Sequence, residues 1–142
     1  MDSLKAEFSR GVALLQSIME EAGFKFAITG EGKSSRGPYL SGDFSKGRKQ
    51  LSLSVRHTLG QVTYTVGLDT LSHEDYVWAV GVNGLYPGFS EDRVVAFEHL
   101  RADLKAAGDA FLNQPDVVFK MLVEKCKATP KNAGFAALGN PR

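Results

Sequence analysis

The sequence predicts an α+β fold: an N-terminal helix, a four-stranded antiparallel β-meander, and then three helices packed on one face of the sheet. Between residues 24 and 66, apolar residues recur at every second position in runs joined by short turn-forming links, which is typical of hairpins. On both sides of this stretch they recur at steps of three and four, as on helices that bury one stripe. The chain of 142 residues has the size of one domain. We expect this domain to span residues 1–128, followed by a loosely ordered tail at 129–142.

The first helix is predicted from an apolar stripe that begins after Ser3 and ends before Gly23. Gly23 occupies the position where a helix commonly ends in a left-handed residue. Gly11 lies in the middle of the pattern, where it lowers the helix propensity and leaves space for another element to approach. The stripe consists of Leu4, Phe8, Val12, Leu15, Ile18, Met19 and Ala22.

Four strands are predicted at residues 24–29, 39–45, 51–55 and 62–66, and the segment 30–38, rich in glycine and serine, is predicted to be a loop. Every link between these strands is short enough for an antiparallel hairpin. One face of the resulting sheet is apolar and needs a cover of helices. That face comprises Phe24, Phe26, Ile28, Leu40, Phe44, Leu51, Leu53, Val55, Val62, Tyr64 and Val66.

Three helix starts are recognisable after the sheet. Ser72 is predicted to cap a short helix, because its hydroxyl can accept hydrogen bonds from the first N–H groups. Ser90 is predicted to cap a longer helix, whose apolar stripe extends to Phe111. Pro115 suits the first position of a last helix. The residues of that helix expected to face inward are Val118, Met121, Leu122 and Cys126.

The charges of the chain are segregated, although its net charge is only +1. Residues 25–56 include seven basic and two acidic residues, whereas residues 69–116 include nine acidic and three basic ones. Such a distribution can steer a charged partner. The single cysteine, Cys126, excludes an internal disulfide and indicates a reducing compartment. Because the N-terminus shows no leader pattern and no run of about twenty apolar residues occurs, we expect a cytoplasmic protein that does not bind membranes.

The motifs that specify common catalytic and cofactor sites are missing, and no cofactor is predicted. The segment 30–35 contains a lysine followed by serine, but Ala27 stands where a phosphate-binding loop needs its first glycine. No G-x-S-x-G elbow occurs. Cys126 lies on an apolar helical stripe, where a thiol behaves as a small buried hydrophobe. The carboxylates at 74, 75, 91 and 92 stand at two helix starts, and capping explains them.

A metal site and a nucleic-acid surface are not predicted either. His57, His73 and His99 lack the spacing of a zinc-binding motif, so we expect surface or capping histidines. Binding of single-stranded nucleic acid uses basic residues together with exposed aromatic side chains. The aromatic residues of the predicted sheet instead alternate in phase with the aliphatic ones, with Tyr39 as the exception.

By elimination, the sequence favours a protein-binding or regulatory module that recognises its partner stoichiometrically, as inhibitors and immunity proteins do. The expected partner is another protein, of acidic character, that approaches the basic part of the sheet. The alternative is a small-molecule-binding protein or enzyme with a pocket between sheet and helices near His57, His73 and Glu74. The sequence decides neither the oligomeric state nor whether the protein has enzymatic activity. The candidate binding residues are Arg48, Lys49, Arg56, His57, His73 and Tyr86, with Arg48 and Lys49 expected in an exposed turn.

Overall fold

The computed structural model describes residues 2–34, 37–56, 59–86 and 92–128 and confirms the α+β class. Within these ranges, helix α1 (Asp2–Glu21) leads into five consecutive strands, and four helices follow. The strands are β1 (Lys25–Ser34), β2 (Gly37–Lys46), β3 (Lys49–Val55), β4 (Leu59–Val66) and β5 (Asp69–Ser72). The later helices are α2 (His73–Val80), α3 (Arg93–Ala107), α4 (Asp109–Leu112) and α5 (Asp116–Ala128). The predicted tail, 129–142, lies outside the described residues.

Helix α1 buries most of the predicted stripe and ends as its sequence indicates. Gly23 has a φ of 95°. The N–H of Phe24 donates to the carbonyl of Met19 over 2.9 Å, which completes the hydrogen-bonding pattern of a left-handed helix end. At Gly11 a Cβ atom would lie 2.0 Å from Cδ2 of Phe97 in α3. The missing side chain at this position therefore allows α1 and α3 to pack closely. The buried stripe residues are Leu4, Phe8, Val12, Leu15 and Met19.

The strands form one antiparallel sheet in the order β1-β2-β3-β4-β5. The four-stranded meander is confirmed, and β5 adds a strand that the sequence pattern did not reveal. With four residues and a single large apolar side chain, Leu71, β5 is too short to show an alternation. It pairs with β4 after a tight turn in which Gly67 has a φ of 64°. The turn leaves Leu68 almost fully exposed.

The predicted loop at 30–38 is wrong, because β1 continues to Ser34 and β2 begins at Gly37. The glycines of this segment serve a hairpin rather than a loop. A Cβ at Gly30 would lie 2.6 Å from Oγ of Ser41, and one at Gly32 would lie 3.0 Å from the hydroxyl of Tyr39. The cross-strand side chains thus fill the space that the glycines leave open. A register shift between Ile28 and Gly30 marks a bulge in β1.

The helices cover the apolar face of the sheet, as predicted. Helix α1 packs chiefly over β2, α2 over β4 and β5, and α3 over β4. Ile28 is the exception, because the sequence predicted that it would be covered with the other residues of this face. It is in register with the apolar residues, but it lies in the edge strand opposite Gly42 and remains 51% exposed. The cover provided by α1 therefore does not extend over this part of β1.

Two helix boundaries after the sheet differ from the prediction. The cap of α2 is confirmed, since Oγ of Ser72 accepts the N–H of Asp75 over 3.1 Å. Helix α3 is capped by Asp92, whose carboxylate accepts the N–H of Val94 over 2.8 Å, and Ser90 lies outside the described residues. The stripe predicted to run to Phe111 is divided at Gly108 between α3 and α4. The sheet is therefore followed by four described helices instead of three.

The inward face of α5 is also rotated from the predicted one. Phe119 and Val123 are buried, whereas Met121 is 65% exposed. The rings of Tyr76 and Phe111 receive Phe119, with centroids 6.4 and 5.9 Å away. Because successive residues of a helix are about 100° apart, Met121 points away from a core that is centred on Phe119 and Val123. Leu122 and Cys126 are partly buried against the core.

Candidate functional site

The predicted binding residues do not form one cluster. Arg48 and Lys49 lie where the chain enters β3, and Arg56 lies where the chain leaves it. Eight residue steps of about 3.3 Å separate Arg48 from Arg56, so the two are roughly 26 Å apart along the strand. His57 lies outside the described residues. Tyr86 joins Arg56 at the same end, since its hydroxyl donates to the carbonyl of Gly60 at the start of β4.

Lys49 does not lie in an exposed turn, which corrects the prediction. It is only 8% exposed, and its Nζ donates to the carbonyl of Gln114 over 2.8 Å. Desolvation by burial, aided by the nearby Lys46, lowers the pKa of Lys49. Arg48 is exposed and stands 3.7 Å from the carboxylate of Asp116 at the start of α5. This end of the sheet is therefore engaged in attaching β3 to α5.

Arg56 lies on the side of the sheet that faces away from the helices. Its neighbour Val55 is buried beneath the helices, so the alternation of the strand directs Arg56 outward. The guanidinium lies over the ring of Tyr39, 5.0 Å from the centroid. The carbonyl of Arg56 accepts Nε–H of Arg93 over 2.8 Å, and Arg93 pairs with Glu7 of α1. The backbone at this corner is thus held by two helices while the side chain remains on the outer surface.

The surface opposite the helices, called the outer face below, consists largely of small polar side chains. One row of cross-strand neighbours crosses the whole sheet through Ala27, Asp43, Ser52, Thr63 and Ser72. Each of these side chains is exposed or half-buried. The adjacent row consists of Lys25, Ser45, Gln50, Thr65 and Thr70. Serine and threonine hydroxyls therefore extend across all strands except β1 within these two rows.

A shallow cleft of about 170 Å³ lies on the outer face. Hydroxyl groups of β1 to β4, the carboxylate of Asp43 and the amide of Gln61 line it. The hydroxyls of Thr29 and Ser41 are 3.3 Å apart, so the small side chains interact across the strands. A hydroxyl both donates and accepts, so this surface can adapt its hydrogen bonds to a partner.

His73 is a core residue instead of a surface or capping residue, which corrects the prediction. Its imidazole is 3% exposed, with Nδ1 2.7 Å from the hydroxyl of Tyr64 and Nε2 2.8 Å from Oδ2 of Asp103. Because a carboxylate only accepts, Nε2–H donates to Asp103, and Nδ1 accepts the O–H of Tyr64. The three groups form a directed chain of hydrogen bonds from β4 through α2 to α3.

Asp103 is the buried charged group that sequence reasoning missed. It is 2% exposed, and besides His73 it accepts the N–H groups of Leu85 and Tyr86 over 2.7 and 3.0 Å. The sequence does contain a signal. Asp103 stands between the core residues Leu100 and Leu104 of α3, and an acid on a buried helical stripe requires compensating donors.

The electrostatics of this buried chain follow from desolvation. Burial lowers the pKa of His73, although the hydrogen bond to Asp103 opposes the shift, so the imidazole remains neutral near pH 7. Burial raises the pKa of Tyr64 well above its usual value, and it raises the pKa of Tyr86 to about 12. Tyr64 is fully buried, so a substrate cannot reach its hydroxyl in this conformation. The hydrogen-bond chain of Tyr64, His73 and Asp103 therefore stabilises the core and holds the backbone of Leu85 and Tyr86, which precede α3.

The fold and the site define an α+β protein with helices on one face of its sheet and an open, hydroxyl-rich face on the other. Comparisons with protein-family models, curated proteins and solved structures found no significant match to this chain. Across the described ranges, no three His, Cys, Asp or Glu residues come together as ligands for a metal ion. None of the described helices has both the length and the apolar character required to cross a bilayer.

Proposed function

We propose that the protein is a recognition module that binds another protein through the outer face of its sheet. The observation that carries this proposal is the division of the sheet into two unlike faces. The apolar face is buried beneath the helices, whereas the rows through Ser52 and Gln50 lack large apolar side chains and are open to solvent. Small side chains let a partner approach the strands closely, and their hydroxyls can both donate to it and accept from it.

The corner at Arg56 and Tyr39 supports the same proposal. Tyr and Arg are frequent among the residues that contribute most to protein–protein binding. Here the guanidinium is placed over the ring, and the backbone beneath it is fixed by Arg93. The pair therefore offers a large contact area with little conformational freedom left to lose.

The charges of the outer face favour an acidic partner. Lys25 and Arg56 carry positive charge on this side, and Asp43 carries negative charge near its middle. Lys46 at the end of β2 and Lys49 at the start of β3, in contrast, donate to backbone carbonyls. The charge available for steering a partner is thus smaller than the sequence count indicates, and it is concentrated toward β1 and the Arg56 corner.

The alternative, a small-molecule or enzymatic site at His73, has less support from the geometry. Both ring nitrogens of His73 are hydrogen-bonded inside the core. Glu74 is exposed at the start of α2, whereas the imidazole of His73 is buried in the core, so the two side chains lie in different environments. A ligand at His73 would have to displace either Tyr64 or Asp103.

The experiment compares capture of proteins from an extract of the native cells by three immobilised chains. These are the wild type, an outer-face variant (Ser52→Glu with Thr63→Glu) and a helix-side control (Lys105→Gln with Lys120→Gln). The outer-face and control variants change the net charge equally, and Lys105 and Lys120 are exposed on the helices. We expect a protein that the wild type and the control retain and that the outer-face variant loses by about tenfold or more.

The association of the identified protein, once purified, should then slow as salt rises from about 0.05 to 0.5 M, because screening weakens steering. Equal capture by all three chains would contradict the proposal. So would a wild-type chain that retains no protein while a small metabolite copurifies with it.

A further inference from the structure

Among the described residues, β1 has one long edge that pairs with no other strand. Strand β1 has ten residues and is the first strand of the sheet, and within the described ranges it pairs only with β2. An edge strand directs alternate N–H and C=O groups outward, where another extended segment can pair with them. Strand β5, at the opposite edge, has only four residues and lies against α2 and α5. The edge of β1 is therefore the better template for an added strand.

An apolar area lies beside this edge on the helix side. Ile28 is half exposed, and its cross-strand neighbour Gly42 has no side chain to cover it. Phe26 is partly buried next to it and packs on Phe44 with ring centroids 4.9 Å apart. Helix α1 lies chiefly over β2, with Lys5 bound to Glu31 of β1 over 2.8 Å. An apolar side chain of an added strand could therefore contact the exposed part of Ile28 on this side of the sheet.

The charges of β1 distinguish between two possible partners for its edge, a second copy of this chain and a segment of another protein. Lys25 and Lys33 are exposed near the two ends of the strand. Lys25 lies on the outer side of the sheet and Lys33, beyond the bulge, lies on the helix side. If two copies paired antiparallel through β1, the positively charged ends of the two strands would meet. Like charges at a free edge oppose such self-pairing, whereas a partner strand of opposite charge has only to accommodate the bulge between Ile28 and Gly30. A segment with acidic residues near both ends would instead find complementary charges.

We propose that an extended segment of a partner protein, acidic near both ends and apolar toward α1, adds to β1 as a sixth strand. This inference rests on the proposed function, because it specifies how the recognised protein is held. Main-chain hydrogen bonds to β1 provide the general affinity, and Ile28, Lys25 and Lys33 select the side chains.

The probe for this proposal is the labelled peptide acetyl-Asp-Glu-Thr-Val-Thr-Val-Thr-Val-Glu-Asp-amide. Its binding to the full chain is measured by fluorescence anisotropy and located by amide hydrogen exchange. We expect binding that protects the amides of β1, and an affinity reduced by about tenfold or more when Lys25→Glu and Lys33→Glu are combined. The control pair Lys105→Glu and Lys120→Glu, with the same charge change on the helices, should alter the affinity by less than about twofold.

Backbone pairing is tested with two further peptides, each N-methylated at alternate residues so that one edge loses its donors. Only one edge of the added strand faces β1. We expect one methylated peptide to bind like the parent and the other to lose binding. Equal binding of both would overturn the proposal, as would absence of binding by the parent peptide or protection confined to amides outside β1.

The outcome can be separated from that of the proposed function. The edge site is the proposed binding site along β1, with Lys25, Ile28 and Lys33. It is supported if the variant with Ser52→Glu and Thr63→Glu binds the peptide normally while the Lys25 and Lys33 variant does not. This holds even where capture from extract does not depend on the outer face. Conversely, a natural partner lost only by the outer-face variant, with no peptide binding at β1, overturns the edge site and leaves the proposed function intact. A wild-type dimer that dissociates on Lys25→Glu would also overturn the edge site as described.

Discussion

The replacement Asp103→Asn tests whether the buried hydrogen-bond chain is directed as described. The carboxylate accepts from His73, Leu85 and Tyr86. An amide has one oxygen, which can still accept from Leu85, but its nitrogen then donates toward the sites of His73 and Tyr86. His73 can change tautomer so that Nε2 accepts this bond. Its Nδ1 then carries the hydrogen and donates to the hydroxyl oxygen of Tyr64, so it no longer accepts the O–H of Tyr64.

The magnitude follows from the number of buried groups left without a partner. In the Asn variant the N–H of Tyr86 and the O–H of Tyr64 both lose their acceptors. An unsatisfied buried donor costs about 1–3 kcal/mol. The Tyr64 hydroxyl is fully buried, whereas the N–H of Tyr86 is only part-buried and costs less, so we expect the free energy of unfolding to fall by roughly 1–4 kcal/mol. That is a large fraction of the ~5–15 kcal/mol typical of a domain.

The assay is urea denaturation at pH 7, with Glu98→Gln as the matched control. Glu98 is an exposed carboxylate on the same helix, so its change to an amide should shift the stability by less than about 0.5 kcal/mol. Tyr64→Phe provides a second check. Because the Asn variant already leaves the Tyr64 hydroxyl unsatisfied, the double variant should cost less than the sum of the single ones. A loss below about 1 kcal/mol for Asp103→Asn at unchanged m-value would refute the directed chain.

Three further predictions concern stability. Burial lowers the pKa of His73 below the value of about 6.5 expected when the chain is unfolded. The unfolded chain therefore binds more protons, and the urea midpoint should fall as the pH drops from about 7.5 to 5. A midpoint that stays constant over this range would contradict the burial of a neutral His73. Gly11→Ala should destabilise by up to about 2 kcal/mol, because the clash with Phe97 outweighs the gain in helix propensity, and thermal melts that show stabilisation would contradict the close packing. Lys49→Glu should cost about 2 kcal/mol or more, whereas Arg48→Glu should cost less than about 0.5 kcal/mol; equal denaturation midpoints would show that Lys49 is not buried.

The sequence by itself determined the elements that depend on local periodicity. The stripe of α1, the alternation in β2 to β4 and the cap at Ser72 each involve residues close together in the chain. The buried face of β3 followed as well, because Leu51, Leu53 and Val55 can be buried together only on one face. These features are predictable since neighbouring residues in one element share a fixed geometry.

The tertiary structure decided which residues meet across the chain. Tyr64, His73 and Asp103 are separated by 9 and 30 positions, and no local pattern brings them together. Arg48 and Arg56 are close in sequence, but an extended strand holds them at opposite ends of the sheet. Residues that are close in sequence can lie far apart in space when the chain between them is extended. The predicted binding residues are therefore divided between the two ends of β3.

Burial was likewise decided by which element covers which. Lys49 alternates in phase with core residues, and the carbonyl of Gln114 makes its burial tolerable. Ile28 has the pattern of a core residue but lies beyond the cover of α1, and Met121 follows an apolar pattern on the wrong side of α5. Sequence periodicity fixes which side chains share a face, whereas burial requires a second surface, and only the packing of distant elements supplies it.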